Sequence, residues 1–252
     1  MAATKVVVLR KGRWVARLAR DAADRAAVYE LRARVFRNGA GSDRDAFDAT
    51  SRHMMVIDQE TGRLVCAYRF AVYQRVLEAL SGYSAQFYDL NALNSSNAKL
   101  AELGRFCVDP DVCGDSDIVR VAWAAMTRIV DQEGIRLLFG CSSFSGTEFD
   151  PYRDAFRLLG RRYGLDGRYV SLRKSKDVIP FDDLEPCEGG DRRGWQLIPP
   201  LLRTYLQMGG WVSDHAVVDR DLNTLHVFTC VDVQNVPEPR ARLLRQLAKA
   251  DV

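Results

Sequence analysis

Residues 102–108 place two charges inside a segment that otherwise has the composition of a buried strand. Glu102 and Arg105 are three positions apart, and side chains of a strand alternate between its faces, so the two can share a face only across a bulge. Gly104 occupies the place where such a bulge would fall. Burying two charges is costly unless they are paired or used. The segment is therefore either a candidate active site or a structural ion pair at a strand end, and these residues alone do not choose between the two.

Periodic patterns along the rest of the chain are typical of an α/β protein. An apolar stripe at residues 27–36, with Asp21 or Asp24 as its candidate cap, predicts a first helix. Further helices are predicted at residues 121–130, after the capping-type residues 115–117, at residues 150–160 and from Pro199-Pro200 onward. Short apolar or alternating runs predict strands at residues 5–18, 54–58, 64–70, 135–143, 169–172 and 224–233. Residues 240–249 are expected to form a basic helix that is a solvated tail. Because the sequence contains neither a Gly-rich dinucleotide loop nor a Walker sequence, these patterns indicate the α/β class and nothing narrower.

Composition excludes several classes of protein. A net charge of +3 over 252 residues is too small to indicate a nucleic-acid-binding protein. No apolar run approaches the roughly 20 residues that span a bilayer, and the first ten residues are too short an apolar stretch for a signal peptide. The six cysteines include no Cys-x-x-Cys pair, and the three histidines have no metal-ligand spacing. We therefore expect no metal site and a cytoplasmic protein that is at most peripheral, at the inner face of a membrane.

Seven spaced residues resemble the skeleton shared by acyl-homoserine lactone synthases and ornithine-lipid N-acyltransferases, two groups of GNAT-fold acyltransferases. These residues are Arg32, Phe36, Asp45, Asp48, Arg69, Glu102 and Arg105. Residues 139–147 resemble the Gly-Cys-x-Ser-Phe-x-Gly-Thr segment of the second group, residues 199–209 its proline-opened helix, and residues 216–224 its closing Ala-Val-Val-Asp-x-x-x-Asn-Thr. The lactone synthases usually carry a tryptophan a few residues after the phenylalanine, and residues 38–42 contain none, which disfavours that group.

The resemblance implies a GNAT-like fold, with a central mixed sheet flanked by helices. We expect an acyltransferase core at residues 1–180, a linker at 181–194 and a C-terminal extension, 195–252, that packs on the core. The implied activity moves a 3-hydroxy fatty acyl group from acyl carrier protein to the α-amine of an amino acid, giving a lyso-aminolipid. Ornithine is the leading acceptor and glutamine stays open. The alternatives are an acyl-homoserine lactone synthase and a non-catalytic module that binds acyl chains or carrier protein.

No permanently bound cofactor is expected, since the 4′-phosphopantetheine arm of the carrier would deliver the acyl group. The usual GNAT phosphate loop is missing, because residues 109–117 are acidic and would repel the pyrophosphate of free coenzyme A. A phosphopantetheine arm does not need that loop. The missing loop therefore favours a carrier-bound donor.

Each residue of the skeleton has an expected role. Glu102 is the candidate general base, with Arg105 beside it, and backbone N–H groups at a bulge near Gly104 are expected to bind the developing oxyanion. A guanidinium suits a carboxylate bidentately, so the acceptor carboxylate is assigned to three arginines: Arg32, Arg69 and Arg105. A cationic acceptor side chain is assigned to Asp45 and Asp48, for which a solvated loop is the alternative. Ser142 and Ser143 are assigned to a polar strand end beside the acyl or pantetheine channel, and Phe36 is assigned to substrate binding.

A basic set between residues 157 and 176 includes Arg161, Arg162 and Lys174. Such a set suits docking of an acidic carrier protein or contact with anionic lipid. An ordinary solvated face is the alternative.

Overall fold

A computed structural model describes residues 7–93, 98–164, 172–182, 184 and 190–249 of the chain. The strands are β1 (Val7–Lys11), β2 (Trp14–Leu18), β3 (Arg52–Asp58), β4 (Leu64–Tyr73), β5 (Leu100–Val108), β6 (Leu137–Ser145), β7 (Val178–Pro180), β8 (Trp211–Val212), β9 (His215–Asp219) and β10 (Thr224–Asp232). The α-helices are α1 (Ala22–Phe36), α2 (Val76–Ala79), α3 (Ser116–Glu133), α4 (Arg153–Tyr163), α5 (Gly190–Leu197), α6 (Pro200–Gln207) and α7 (Glu238–Ala248). Strands and helices interleave along the chain, so the predicted α/β class is confirmed.

The chain divides into two compact units. The first contains residues 1–72, 103–135 and 238–252, and the second contains residues 73–102 and 136–237. The boundary runs through β5, because Glu102 belongs to the second unit and the residues after it to the first. The division predicted at residues 181–194 stays a prediction, since positions 183 and 185–189 lie outside the described residues.

Local capping signals define the helices of the first unit. Asp21 caps α1 by accepting a hydrogen bond from the Asp24 N–H, and Asp115 caps α3 in the same way. Gly134 ends α3 in the left-handed conformation, with φ of 66°, which glycine adopts without steric cost. These local signals explain why both helices begin and end close to where the sequence predicts them.

The first unit is built on an antiparallel meander of β1, β2, β3 and β4. Helix α1 buries Val28 and Leu31 against Met55 of β3, Ala67 of β4 and Cys107 of β5. The register of the meander places His53 opposite Arg69. The apolar stripe of α1 therefore packs on β3, β4 and β5.

The C-terminal helix α7 lies against α3, and Arg245 Nε is 3.3 Å from the Asp131 carboxylate. The expectation of a solvated tail at residues 240–249 was therefore wrong. A basic sequence on an amphipathic helix does not reveal whether its apolar side has a partner elsewhere in the chain. Among the described residues, no helix is both long and apolar enough to cross a membrane.

The second unit is centred on β6 and β10, which pair antiparallel from Thr224↔Ser145 to Asp232↔Leu137. Side chains of a strand alternate between its faces, so these two strands separate two apolar clusters. One contains Tyr88, Leu100, Phe139, Val217, Phe228 and Cys230. The other contains Phe144, Phe156, Leu202, Val212 and Val227, contributed in part by α4 and α6. Most of the predicted strand at 169–172 lies outside the described residues.

Candidate active site

The carboxylate of Glu102 is buried in the second unit and accepts three hydrogen bonds. Its Oε2 accepts from the Tyr73 hydroxyl at 3.0 Å and from the Tyr83 backbone N–H at 3.1 Å. Its Oε1 accepts from the Ser84 backbone N–H at 2.6 Å. The residue is only 7% exposed. Since a carboxylate offers about four lone-pair positions, one remains for a further proton donor such as an amine or a water molecule.

Gly82 makes this arrangement possible. A Cβ at this position would collide with Glu102 Oε2 and would lie 2.7 Å from the Tyr73 hydroxyl oxygen, closer than carbon and oxygen approach without a shift. The chain after α2 therefore needs glycine to bring the N–H groups of Tyr83 and Ser84 onto the carboxylate. The sequence identifies Glu102, but it does not identify this supporting turn. Its only local signal is the Ser81-Gly82 pair within a stretch of mixed composition.

The two serines assigned to a substrate channel lie on opposite faces of β6. Ser142 is buried, and its Oγ accepts a hydrogen bond from Thr229 Oγ1 at 2.9 Å. Ser143 is exposed and pairs across the strands with His226. Strand alternation keeps the two hydroxyls apart, so the structure does not bring them into one channel. Their assignment to substrate stays a prediction.

Aromatic side chains surround the turn at residues 82–84, which binds the Glu102 carboxylate in the second unit. The Tyr83 and Phe87 rings meet at 5.4 Å, and the Phe87 and His226 rings meet at 4.8 Å with edge-on geometry. Cys141 Sγ lies 3.6 Å from Ser84 Oγ. The sequence provides no signal that a histidine more than a hundred residues away joins these rings.

Three arginines and three aspartates form an ion-pair network in the first unit: Arg32, Arg69, Arg105, Asp43, Asp45 and Asp48. Arg32 is fully buried, and it donates from Nε to Asp43 Oδ2 at 2.8 Å and from Nη1 to Asp48 Oδ1 at 2.7 Å. Asp48 Oδ2 also accepts from the Asp45 backbone N–H at 2.9 Å, which closes a capping box on the short helix Ala46–Ala49. Arg32 thus ties α1 to the aspartate-rich loop.

Arg69 and Arg105 complete the network from β4 and β5. Arg69 Nη1 donates to Asp48 at 2.9 Å and also to Asp45. Arg105 donates from Nε to Asp43 at 3.0 Å and from Nη2 to Asp45 at 3.3 Å. These contacts join the arginines that were predicted to bind a carboxylate to the aspartates that were predicted to bind an ammonium group. Their assignment to substrate stays a prediction, and Asp45, with 24% of its side chain exposed, is more accessible than Asp43 and Asp48.

The network sets the charge state of its aspartates. Burial raises the pKa of Asp48, but hydrogen bonds from Arg32, the Asp45 backbone and Arg69 outweigh it and lower that pKa to about 2. Burial likewise raises the pKa of Asp43, and the charges of Arg105 and Arg32 reverse the shift, so that the pKa lies below its usual value. Both aspartates are therefore ionised at neutral pH.

Arg105 has a left-handed backbone, with φ of 54°, in the middle of β5. The expected irregularity near Gly104 therefore falls one residue later, on a residue that has a Cβ. Its guanidinium lies 5.9 Å from the centroid of the Phe36 ring, which is half-buried at the end of α1. A non-glycine residue in this region is strained and persists only where its surroundings fix it. The ion pairs of the Arg105 side chain with Asp43 and Asp45 supply that fixation.

The residues predicted to dock a carrier or a membrane are exposed in the second unit. Arg161 and Arg162 lie on α4, and both form ion pairs with Asp191 of α5. The Lys174 ammonium donates to the Ala85 backbone carbonyl. One aspartate cannot neutralise two arginines, so this part of α4 keeps a net positive charge. The docking role itself stays a prediction.

Comparison with known proteins adds independent findings. Residues 25–124 match the model of an acetyltransferase (GNAT) domain family, as the resemblance implied. An L-ornithine N(alpha)-acyltransferase from Rhodobacter capsulatus is 34% identical over 239 residues, which cover 88% of this chain and 91% of that protein. One from Brucella abortus is 30% identical and covers 92% and 88%. Among solved structures, an N-acyl amino acid synthase from uncultured soil microbes aligns with a TM-score of 0.49 at 13% identity, over 95% of this chain and 99% of that one.

Proposed function

This chain belongs to the L-ornithine N(alpha)-acyltransferase family and is an N-acyltransferase, and on that premise we propose that it transfers a 3-hydroxy fatty acyl group from acyl carrier protein to the α-amine of ornithine. The similarity to those relatives over nearly their whole length carries the acylation of ornithine, and the acidic start of α3 supports the carrier-bound donor. The product is a lyso-aminolipid. Because such a product belongs in a membrane, we place the enzyme in the cytoplasm with peripheral contact to the inner membrane face.

The proposed chemistry needs a neutral amine at the thioester carbonyl. The one remaining acceptor position of Glu102 takes a proton from the α-ammonium, directly or through water. The amine then forms the C–N bond, and the C–S bond breaks when the tetrahedral intermediate collapses. The second proton lost by the nitrogen leaves with the phosphopantetheine thiol. The three hydrogen bonds fix the carboxylate orientation, which a base that acts on a bound ammonium requires.

Two features of the first unit support a carrier-bound donor over free coenzyme A. The N-terminus of α3 is capped by Asp115, whose carboxylate accepts the Asp117 N–H at 2.9 Å. An anion that binds at a helix N-terminus needs those N–H groups and the positive end of the helix dipole. At α3 a carboxylate already takes an N–H, and Asp115 and Asp117 repel a pyrophosphate. A carrier protein brings its phosphopantetheine arm without that pyrophosphate.

Purified protein with matched substrates tests the proposal. Two donors are compared: one 3-hydroxyacyl chain on acyl carrier protein and the same chain on coenzyme A. Four acceptors are tested: ornithine, lysine, glutamine and S-adenosylmethionine. We expect an acyl-ornithine product that still reacts with ninhydrin through its free δ-amine, and its formation should have the highest kcat/KM with ornithine and the carrier-bound donor. Preference for glutamine would correct the acceptor, and preference for coenzyme A would correct the donor. A homoserine lactone formed from S-adenosylmethionine would replace the proposal with the lactone synthase alternative.

A further inference from the structure

His226 is a buried histidine that takes no part in the proposed chemistry. The residue is 1% exposed, and its Nδ1 lies 3.0 Å from the Tyr88 hydroxyl oxygen. Its Nε2 is buried and has no hydrogen-bond partner within the described part of the chain. A buried polar atom without a partner is uncommon and costly, so its retention calls for an explanation.

The hydrogen bonds of Tyr88 indicate which nitrogen of His226 carries the proton. The Tyr88 hydroxyl has one proton to donate. Its oxygen lies 2.9 Å from the His226 backbone carbonyl oxygen, which can only accept a hydrogen bond. Both contacts are satisfied together when that proton goes to the carbonyl and His226 Nδ1–H donates to the Tyr88 oxygen. In this tautomer Nε2 is a bare acceptor.

The imidazole of His226 is not protonated at neutral pH, so Nε2 can accept a hydrogen bond. Burial lowers the pKa of His226 to about 4, with a further lowering by His215 and an opposing effect of Asp219. The imidazole is therefore neutral, and Nε2 keeps its lone pair. The second unit therefore presents a buried acceptor that no donor among the described residues satisfies.

Ring contacts connect this acceptor to the proposed base. The Tyr83 N–H binds Glu102, the Tyr83 ring contacts Phe87, and the Phe87 ring contacts His226. Tyr83 and Phe87 are only half-buried, and Ser143, opposite His226 on the same face of the sheet, is exposed. An acyl chain whose thioester lies at Glu102 would run along these rings. Since Ser143 is exposed, the face of the sheet that carries His226 is open to solvent beside it.

We propose that His226 Nε2 accepts a hydrogen bond from a hydroxyl group near the thioester end of the acyl chain, and that it thereby selects hydroxylated chains. This inference rests on the proposed function and adds a residue that determines donor specificity. An apolar chain against aromatic rings leaves Nε2 without a partner, whereas a chain with a hydroxyl at that point satisfies it. A neutral imidazole surrounded by rings suits a hydroxyl better than the ammonium of the acceptor, which would lose its hydration there.

The test compares two carrier-bound donors of equal length, one with a 3-hydroxyl and one without, with ornithine as the acceptor. For the wild type we expect kcat/KM to favour the hydroxylated donor by about tenfold or more. His226→Asn keeps a donor at the Nδ1 position for Tyr88 and removes the Nε2 acceptor, so the ratio should fall to near one. His226→Gln places an amide oxygen near the Nε2 position and should restore part of the preference. The ratio is internal to each preparation, so partial loss of folded protein does not change it.

Different results overturn different parts of the account. Equal kcat/KM for the two donors with the wild type would overturn the role of His226 and leave ornithine acylation standing. An unchanged preference in both His226 variants would also overturn it. If the wild type transferred neither donor to any amine, the proposed function would fall and this inference with it.

Discussion

Glu102 holds the turn at Tyr83 and Ser84 and is also the proposed base, so its substitution should affect both the rate and the stability. We expect Glu102→Gln to lower kcat by about a hundredfold or more, because a positioned general base contributes roughly 10²–10⁴. An amide N–H facing a backbone N–H should also lower the free energy of unfolding by about 1–3 kcal/mol. Steady-state kinetics and urea unfolding measure the two effects separately.

Tyr73→Phe is the matched control, because it removes one hydrogen bond from the carboxylate and leaves the carboxylate in place. It should lower kcat less than about tenfold, in line with a net hydrogen-bond energy near 1 kcal/mol. If Glu102→Gln lost no more activity than Tyr73→Phe, Glu102 would be an anchor for the turn and not the base.

The left-handed backbone of Arg105 gives a second prediction. Arg105→Ala and Arg105→Gly both remove the ion pairs with Asp43 and Asp45, but only glycine adopts φ of 54° without steric cost. The glycine variant should therefore be more stable than the alanine variant by about 1 kcal/mol in urea unfolding. At Arg52, in the regular strand β3, the same pair of substitutions should give the opposite order. Equal stabilities at position 105 would show that the backbone there is not strained.

At the scale of elements, the ion-pair network joins α1, the aspartate loop and two strands, so its loss should destabilise the first unit. We expect Asp48→Asn to lower the free energy of unfolding by about 3 kcal/mol, because Arg32 is left buried with one charged partner fewer. Asp150→Asn, which breaks an exposed pair with Arg153, should change it by less than about 0.5 kcal/mol.

The pKa of Asp48 predicts how that difference depends on pH. Its folded-state value of about 2 lies below the roughly 3.9 of an unfolded chain, so between these values the unfolded state binds more protons. The stabilisation is complete above about pH 4 and is lost as the pH falls toward 2. The gap between wild type and Asp48→Asn should therefore narrow from pH 6 to pH 3. A gap that is constant with pH would contradict the assigned ionisation.

The same elements show what a sequence can and cannot predict. Helices α1 and α3 are predictable because Asp21, Asp115 and Gly134 act on backbone groups within a few residues. The Arg105–Asp43 bond joins residues 62 positions apart, so the sequence supplies the charged residues but not their pairing. Ser84, whose N–H binds the Glu102 carboxylate, is 18 positions before Glu102 in the chain, and the contact depends on the space left by Gly82. Such pairings follow from packing, which local patterns do not encode.

At the scale of the whole molecule, the proposed function requires the enzyme to bind the carrier protein that delivers its donor. Arg161 and Arg162 of α4 share one aspartate and keep a net positive charge toward solvent. We expect the double reversal Arg161→Glu with Arg162→Glu to raise the Kd for acyl carrier protein by about tenfold at low salt, with a smaller effect as salt screens the charges. Fluorescence anisotropy with a labelled carrier measures this.

Arg153→Glu is the control on the same helix, since Arg153 is exposed and pairs with Asp150 near the start of α4. It should leave the Kd within about twofold if docking depends on the far end of the helix. If the double variant bound the carrier as tightly as the wild type, the basic end of α4 would be an ordinary solvated face.

The measurement that tests the central claim most directly is the position of the new amide bond. Purified protein is incubated with a 3-hydroxyacyl carrier protein and ornithine labelled with ¹⁵N at the α-nitrogen, and the product is analysed by mass spectrometry and ¹⁵N–¹H NMR. The account predicts a single acylated product whose labelled nitrogen carries one proton and is bonded to the acyl carbonyl. Acylation at the unlabelled δ-nitrogen, or no acylated ornithine from folded protein, would contradict it.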